Sequence, residues 1–253
     1  MNNHYEASPE VRELEKTLCQ FAYVNGFDRA EVFDDLLRYI ISFFTWKFQP
    51  VEPWRYNKEQ IAVFWKMLTQ WFVIMDKQTI GKEWYDALGD LYMAITGSSS
   101  HAKRLGQNFT PDSVCNLMSK IVGAEKGGTG MISDAACGSG CILLAAHVKS
   151  FKNYLVAEDI DRTCCMMAVC NFIIHGCHGE VIWHNSLQPE SYYGGWLVNE
   201  HLGECGIPSV REIPQEESAL WNFWQHRQQE QAIREVLELE KQSNQMKSNN
   251  IKL

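Results

Sequence analysis

The first hundred residues repeat apolar side chains at the three- and four-residue spacing of amphipathic helices. Four such stretches occur, over residues 11–21, 32–41, 61–72 and 84–95, and Gly26 and Gly97 follow two of them as stop signals. A polar connector of small residues, "GSSSHAKRLGQN", comes next. The pattern therefore predicts an all-helical N-terminal domain over residues 1–100, whose aromatic residues pack between helices.

Beyond the connector, short apolar runs alternate with helical patterns. The segments "GMIS", "YLVAED" and "EVIWHN" read as strands, and "CILLAAHVKS" and "RTCCMMAVCNFIIHG" read as the helices between them. This alternation predicts an α/β domain over residues 101–212, with a mostly parallel sheet and helices on both faces. We expect "GECGIPSVREIP" to be a loop. Residues 213–253 then form an amphipathic helix that ends in a disordered polar tail, "KQSNQMKSNN".

Length and composition narrow the class of protein. A chain of 253 residues that is 45% hydrophobic and 21% charged fits one large globular domain, or one domain with a smaller companion. No apolar run approaches the ~20 residues that cross a bilayer, and the first residues resemble no secretion signal. Nine cysteines without such a signal indicate reduced thiols, so we expect a cytoplasmic protein with no membrane partner.

The net charge of the chain indicates how it could contact nucleic acid. A net charge of −8 argues against a protein that grips nucleic acid with its whole surface. It leaves room for a local basic patch, or for a partner that makes the contact. We expect no metal site, because adjacent cysteines such as Cys164 and Cys165 diverge by ~100° on a helix and no C-x-x-C pair occurs.

Candidate chemistry lies at the predicted strand ends, where open α/β sheets bind their ligands. The first strand runs into "DAACGSG", whose glycines allow a tight turn and a close backbone approach to a ligand. The second ends in "AEDID", where Asp159 suits a nucleoside ribose. Asn185 in "HNSL" follows the third, and its amide suits the edge of an adenine ring. Taken singly, these segments also fit a tight turn or a solvated strand end.

Four segments in this order, "LGQNFTP", "DAACGSG", "AEDID" and "HNSL", resemble the gamma-class DNA adenine-N6 methyltransferases, and in particular the modification subunits of type I restriction systems. The resemblance covers roughly residues 88–190. It implies a Rossmann-like fold that binds S-adenosylmethionine (AdoMet). By position, the cofactor residues it implies are Phe109, Thr110, Pro111, Asp134, Gly138, Ser139 and Gly140 for the methionine part, Asp159 for the ribose and Asn185 for the adenine. Ile160, next to Asp159, is a further cofactor residue.

The resembling family carries an N-P-P-F or D-P-P-Y segment at the end of its fourth strand, which accepts hydrogen bonds from the target adenine. This chain contains no P-P pair. At the expected distance lies "GGWLVNEHLG", a predicted strand that ends in Asn199, with Glu200 and His201 in place of the prolines. Asn199 is therefore the candidate catalytic residue.

Three functions remain open at this point. The first is an AdoMet-dependent DNA adenine-N6 methyltransferase that contacts DNA through or with a separate recognition subunit, as part of a homo- or hetero-oligomer. The second is an AdoMet-binding regulatory or structural partner that has lost catalysis. The third is a methyltransferase for another acceptor, which no sequence feature favours.

Overall fold

The computed structural model describes residues 7–45, 55–96, 110–121, 129–188 and 190–250. Contacts divide the chain into two compact units, Met1–Glu212 and Ile213–Leu253. The helices are α1 (Arg12–Asn25), α2 (Arg29–Phe43), α3 (Lys58–Gly81), α4 (Ala87–Thr96), α5 (Asp112–Ile121), α6 (Cys141–His147), α7 (Arg162–His175), α8 (Leu202–Cys205) and α9 (Ala219–Asn250). The strands are β1 (Met131–Asp134), β2 (Tyr154–Asp159), β3 (Gly179–Trp183), β4 (Gly194–Val198) and β5 (Val210–Glu212).

The four predicted N-terminal helices are present, and local chemistry sets where several of them begin and end. Gly26 ends α1 in the left-handed conformation, with φ of 70°. Asp28 caps the start of α2 by accepting from the backbone N–H of Ala30. Asn57 and Gln60 form a reciprocal capping box at the start of α3. The predicted domain boundary at residues 100/101 lies outside the described residues.

The sheet is mixed, in the order β1-β2-β3-β4-β5. The first three strands are parallel, whereas β4 runs antiparallel to β3 and β5 antiparallel to β4. The prediction of a mostly parallel sheet is therefore wrong for the last two strands. Only residues 184–193 connect β3 to β4, which is shorter than the dozen or more residues that a parallel crossover needs.

The two crossover helices, α6 and α7, lie on one face of the sheet, because right-handed crossovers between strands that follow one another in order place their helices on the same side. Leu155, Ala157 and Val181 contribute that face of the sheet to the hydrophobic core. The opposite face carries the buried polar side chains of Glu158 and Glu180. The predicted helices on both faces are thus not found for these two crossovers.

The N-terminal helices pack on the crossover helix α7 within the first unit. Thr163 Oγ1 donates a hydrogen bond to Asp34 Oδ1 over 2.8 Å. The cysteines of α7 are buried, as predicted for a helix packed in the core, and all nine cysteines of the chain are free thiols.

The C-terminal region differs from the prediction in two places. The expected loop after β4 contains α8 and β5, and α9 continues through the polar tail to Asn250 instead of ending in disorder. The Gln, Lys and Met residues of this tail have high helix propensity, which favours continuation of a helix that has already begun. In the described ranges, no helix has the length and hydropathy needed to cross a membrane.

Candidate functional site

The three parallel strands bring the predicted cofactor residues together at the carboxyl ends of the strands. Asp134 ends β1 and Asp159 ends β2, while Asn185 follows β3. Asp134 is in register with Ala157, and Asp159 with Trp183, so the three strand ends are neighbours. This end of the strands is where parallel sheets bind their ligands.

The glycine turn between β1 and α6 is tied to the end of β2. Gly138 and Gly140 have positive φ values of 56° and 90°, which glycine adopts without steric cost. The backbone N–H of Gly138 donates to Asp159 Oδ2 over 2.9 Å, and that of Cys137 donates to the carbonyl of Glu158 over 2.9 Å. Hydrogen bonds within the protein thus hold the turn against β2.

Asp159 uses both carboxylate oxygens to hold backbone. Besides Gly138, it accepts from the N–H of Asp161 at Oδ1 over 2.8 Å. Burial raises the pKa of the Asp159 carboxyl, while these backbone hydrogen bonds oppose the rise. Since each carboxylate oxygen has two lone pairs, acceptor capacity remains for the hydroxyl groups of a ligand.

Asp134 is the least satisfied acid of the site. Its Oδ1 accepts from the N–H of Ala136 over 3.2 Å, whereas its Oδ2 is buried and has no hydrogen-bond partner among the described residues. Burial, followed by the negative charges of Asp159 and Glu158, raises the pKa of its carboxyl. A buried carboxylate oxygen without a partner is costly, so it marks a place where a cationic ligand group would be stabilised.

A small cleft of about 60 Å³ lies at this turn. It is lined by Thr110, Asp134, Ala136, Cys137, Gly138, Ser139, Cys141 and Ile142. The predicted residues Thr110, Asp134, Gly138 and Ser139 are therefore brought together. The cleft is lined largely by the turn itself, which agrees with a binding role for backbone groups.

The remaining predicted cofactor residues are placed as follows. The carbonyl of Pro111 accepts from the N–H of Val114 over 2.8 Å at the start of α5. Ile160 follows Asp159 and is 59% exposed. Asn185 Oδ1 accepts from the N–H of Leu187 over 3.1 Å, so part of its side chain serves a local turn. Phe109 lies outside the described residues.

Asn199 lies at the opposite ends of the strands, beside the start of β3. Since β4 is antiparallel to β3, Val198 pairs with Gly179 at the start of β3, far along the strand from Trp183. The Asn199 side chain is 1% exposed, and its Nδ2 donates to the carbonyls of Phe172 and Cys177 over 3.0 and 2.9 Å. Its Oδ1 accepts from the N–H of Ser209. The structure does not bring Asn199 together with the cofactor residues, so its position gives the predicted catalytic role no support.

Two further polar groups lie near the site, and the first of them was missed as a candidate. Asp86, which precedes α4, accepts hydrogen bonds from Ser139 Oγ and from Cys141 Sγ at the glycine turn. Glu158, as expected from strand alternation, points to the face opposite Asp159, where it accepts from Ser133 Oγ and lies 2.9 Å from His184 Nε2. An isolated Asp before a helix reads as a cap, and no short-range pattern links Asp86 to a turn 53 residues later.

In the described parts of the chain, no group of three or more His, Cys, Asp or Glu side chains is arranged to hold a metal ion.

Comparison with known proteins bears on the resemblance. Residues 83–195 match the family model described as N-6 DNA Methylase, which confirms the family predicted from the sequence segments. A solved structure similar to this chain is the type I restriction-modification system methyltransferase subunit from Streptococcus thermophilus. It is 21% identical, with a TM-score of 0.32, over 69% of this chain and 39% of that subunit. This chain thus spans about two fifths of the length of that subunit, and no curated protein matches it.

Proposed function

Because residues 83–195 belong to the N-6 DNA methylase family, we propose that this chain binds AdoMet and acts in methyl transfer to adenine N6 of DNA, together with a partner subunit. One observation carries the proposal. At the carboxyl ends of three parallel strands, a positive-φ glycine turn lies beside a buried Asp134 oxygen that has no partner among the described residues. A backbone-lined turn next to an unsatisfied carboxylate fits a ligand with a charged amino-acid end.

The residues fit the parts of AdoMet one by one. Asp134 Oδ2 would accept from the cofactor's ammonium group, and the unused lone pairs of Asp159 would accept from its ribose hydroxyls. The exposed side chain of Ile160 would lie against the apolar adenine ring. When bound, AdoMet supplies a methyl group on a positively charged sulfonium.

Target recognition is assigned to a partner. The chain has a net charge of −8, whereas affinity for DNA depends on neutralising phosphates with Lys and Arg. The family's catalytic proline segment is also absent from the sequence. Another subunit that contacts DNA and completes the site around the target adenine would account for both features.

Titration calorimetry of the full-length chain with AdoMet tests the cofactor part of the proposal. We expect saturable binding to the wild type and weaker binding to Asp159→Ala, because this change removes the acceptor for both Gly138 and the ribose. Wild-type protein that gives no binding heat and no saturation by a second method would end the proposal.

The alternative function is an AdoMet-binding regulatory or structural partner without catalysis. The position of Asn199 favours it, because this side chain is fully used in holding backbone at the strand ends opposite the cofactor residues. A second methyltransferase chain would then carry the chemistry, and this chain would support it.

Methyl transfer distinguishes the two functions. We expect the purified chain alone to transfer little or no labelled methyl from AdoMet to adenine in duplex DNA. Subunits captured with it from the native host should restore methyl transfer. If this chain is the methyltransferase, the restored transfer should depend on Asp134; if it is a regulatory or structural partner, the restored transfer should not depend on Asp134. Robust transfer by the isolated chain that disappears in Asn199→Ala would contradict this expectation and restore Asn199 as a catalytic residue.

A further inference from the structure

Asp86 connects the N-terminal helical region to the glycine turn. It lies directly before α4, yet its Oδ2 accepts a hydrogen bond from Ser139 Oγ, and another from Cys141 Sγ over 3.1 Å. Ser139 is fully buried and Cys141 is 7% exposed, so both contacts form in the protein interior. Hydrogen bonds in such buried surroundings are electrostatically stronger than hydrogen bonds exposed to water.

The second oxygen of Asp86 reaches the same turn through Asn171 of α7. Asn171 Nδ2 donates to Asp86 Oδ1 over 2.8 Å and to the carbonyl of Ser139 over 2.9 Å. Ser139 is therefore held at its hydroxyl by Asp86 and at its carbonyl by the amide that Asp86 itself binds. Asp86 and Asn171 thus contact two sides of one residue in the G-S-G turn: Asp86 accepts from the Ser139 hydroxyl, and Asn171 donates to the Ser139 carbonyl.

The position of Asp86 is itself closely defined. The N–H of Gly89 donates to Asp86 Oδ1 over 2.8 Å, and a Cβ on Gly89 would lie only 2.1 Å from Asp86 Oδ2. A side chain at residue 89 would displace the carboxylate, so Gly89 allows Asp86 to take up this position.

A histidine closes the network behind Asn171. The N–H of Tyr85 donates to His175 Nε2 over 3.3 Å, so the proton of the neutral ring lies on Nδ1, which donates to the carbonyl of Asn171 over 2.8 Å. Burial lowers the pKa of His175, which favours this neutral form. Tyr85, Asp86, Asn171 and His175 thus form one hydrogen-bond network, which contacts the turn at Ser139.

We propose that Asp86 is a positioning residue for the cofactor: it fixes Ser139 and Cys141 so that the turn presents backbone groups, and not its hydroxyl and thiol hydrogens, to AdoMet. The inference rests on the proposed AdoMet site. It assigns to the helical region a direct part in building that site, since Asp86 is supplied by the segment that begins α4.

Asp86→Asn is the informative variant because it keeps the size of the side chain. Both Asp86 oxygens accept two hydrogens each, and an amide can replace only one of them as an acceptor. If the amide nitrogen faces the turn, the Ser139 hydroxyl must reverse from donor to acceptor and direct its hydrogen elsewhere. Asp76→Asn, an exposed residue of α3, is the matched control.

The experiment uses the full-length chain, with hydrogen exchange measured without ligand and AdoMet affinity measured by calorimetry. For Asp86→Asn we expect faster exchange at residues 135–142, unchanged exchange in β3, and AdoMet binding about tenfold weaker. Ser139→Ala removes only the hydroxyl that donates a hydrogen bond to Asp86. The double variant should therefore bind AdoMet no more weakly than Asp86→Asn alone, because the two residues act through one contact.

Several results would overturn the inference. These are wild-type AdoMet affinity in Asp86→Asn, additive losses in the double variant, or exchange that quickens equally in β3, which would indicate a general loss of stability. If Asp86→Asn does not fold, unchanged exchange of the turn in Ser139→Ala counts against the inference in the same way. Wild-type protein that does not bind AdoMet defeats the proposed function, and the exchange of the turn then decides the Asp86 contact independently.

Discussion

Asp134→Asn should lower the affinity for AdoMet by about a hundredfold, since it removes the negative charge from a buried group that would face the cofactor's ammonium. The amide keeps the size of the side chain and can still accept from the N–H of Ala136, so the turn should retain its shape. Calorimetry against the wild type measures the change. Asp112→Asn, an exposed residue at the start of α5, is the control and should bind AdoMet normally.

The same substitution has a characteristic pH dependence. Burial raises the pKa of Asp134 above the usual value of about 3.9, so protonation of the wild type begins at a higher pH than for an exposed aspartate. The ammonium group favours the ionised carboxylate, and affinity should therefore fall as pH drops through this raised pKa. Asp134→Asn should lack the part of the fall that Asp134 causes and keep only the part that protonation of Asp159 contributes, since burial raises the pKa of Asp159 as well. A wild-type affinity that stays constant over the acidic range, or a variant that binds as tightly as the wild type, would remove Asp134 from the binding site.

Gly179→Ala should lower the free energy of unfolding by about 3 kcal/mol, through overpacking between strands. A Cβ at the first residue of β3 would lie 2.0 Å from the carbonyl oxygen of Leu155 and 2.8 Å from its backbone nitrogen. Both atoms belong to the backbone of the paired strand β2 and cannot move without opening the sheet. Urea unfolding of the two proteins measures the loss.

Gly130→Ala provides the comparison for this prediction. Gly130 immediately precedes β1, its φ is not in the left-handed region, and a Cβ there would have nothing within 4 Å. We expect its unfolding free energy to remain within about 0.5 kcal/mol of the wild type. Equal unfolding curves for the two variants would mean that β2 and β3 are not packed as the structure places them.

The cofactor half of the site could be predicted from the sequence because its determinants are local. Each strand-helix unit is a short segment with its own hydrophobic period, and the acid or amide stands directly at the end of each strand. When three adjacent strands are parallel, their carboxyl ends lie side by side. Asp134, Gly138 and Asp159 were therefore placed correctly without knowledge of any long-range contact, although their part in cofactor binding stays a prediction.

The direction of β4 was not predicted, and with it the place of Asn199. An apolar run such as "GGWLV" carries no information on whether it pairs parallel or antiparallel. That choice depends on the length of the connection and on which strand edge is open. Asn199 became a candidate because it ends a predicted strand where the resembling family carries its N-P-P-F segment, whereas β4 turns back along β3.

Asp86 escaped prediction for a different reason. Its role depends on how α4 packs beside the glycine turn, and residues 53 and 55 positions apart become neighbours only through tertiary structure. Locally, its hydrogen bond to the N–H of Gly89 is that of an ordinary helix start.

The order of the strands has one more consequence, for the outer side of β1. The carbonyl of Gly130 accepts from the N–H of Tyr154, so the alternation of a parallel ladder turns the N–H and C=O groups of Met131 and Ser133 away from β2. Both residues are exposed, and among the described residues β1 pairs with β2 alone. Open edges of this kind are where sheets grow. A strand added to this sheet along β1, in either direction, would have one end beside Asp134, so that assembly at this edge would reach the proposed ligand site.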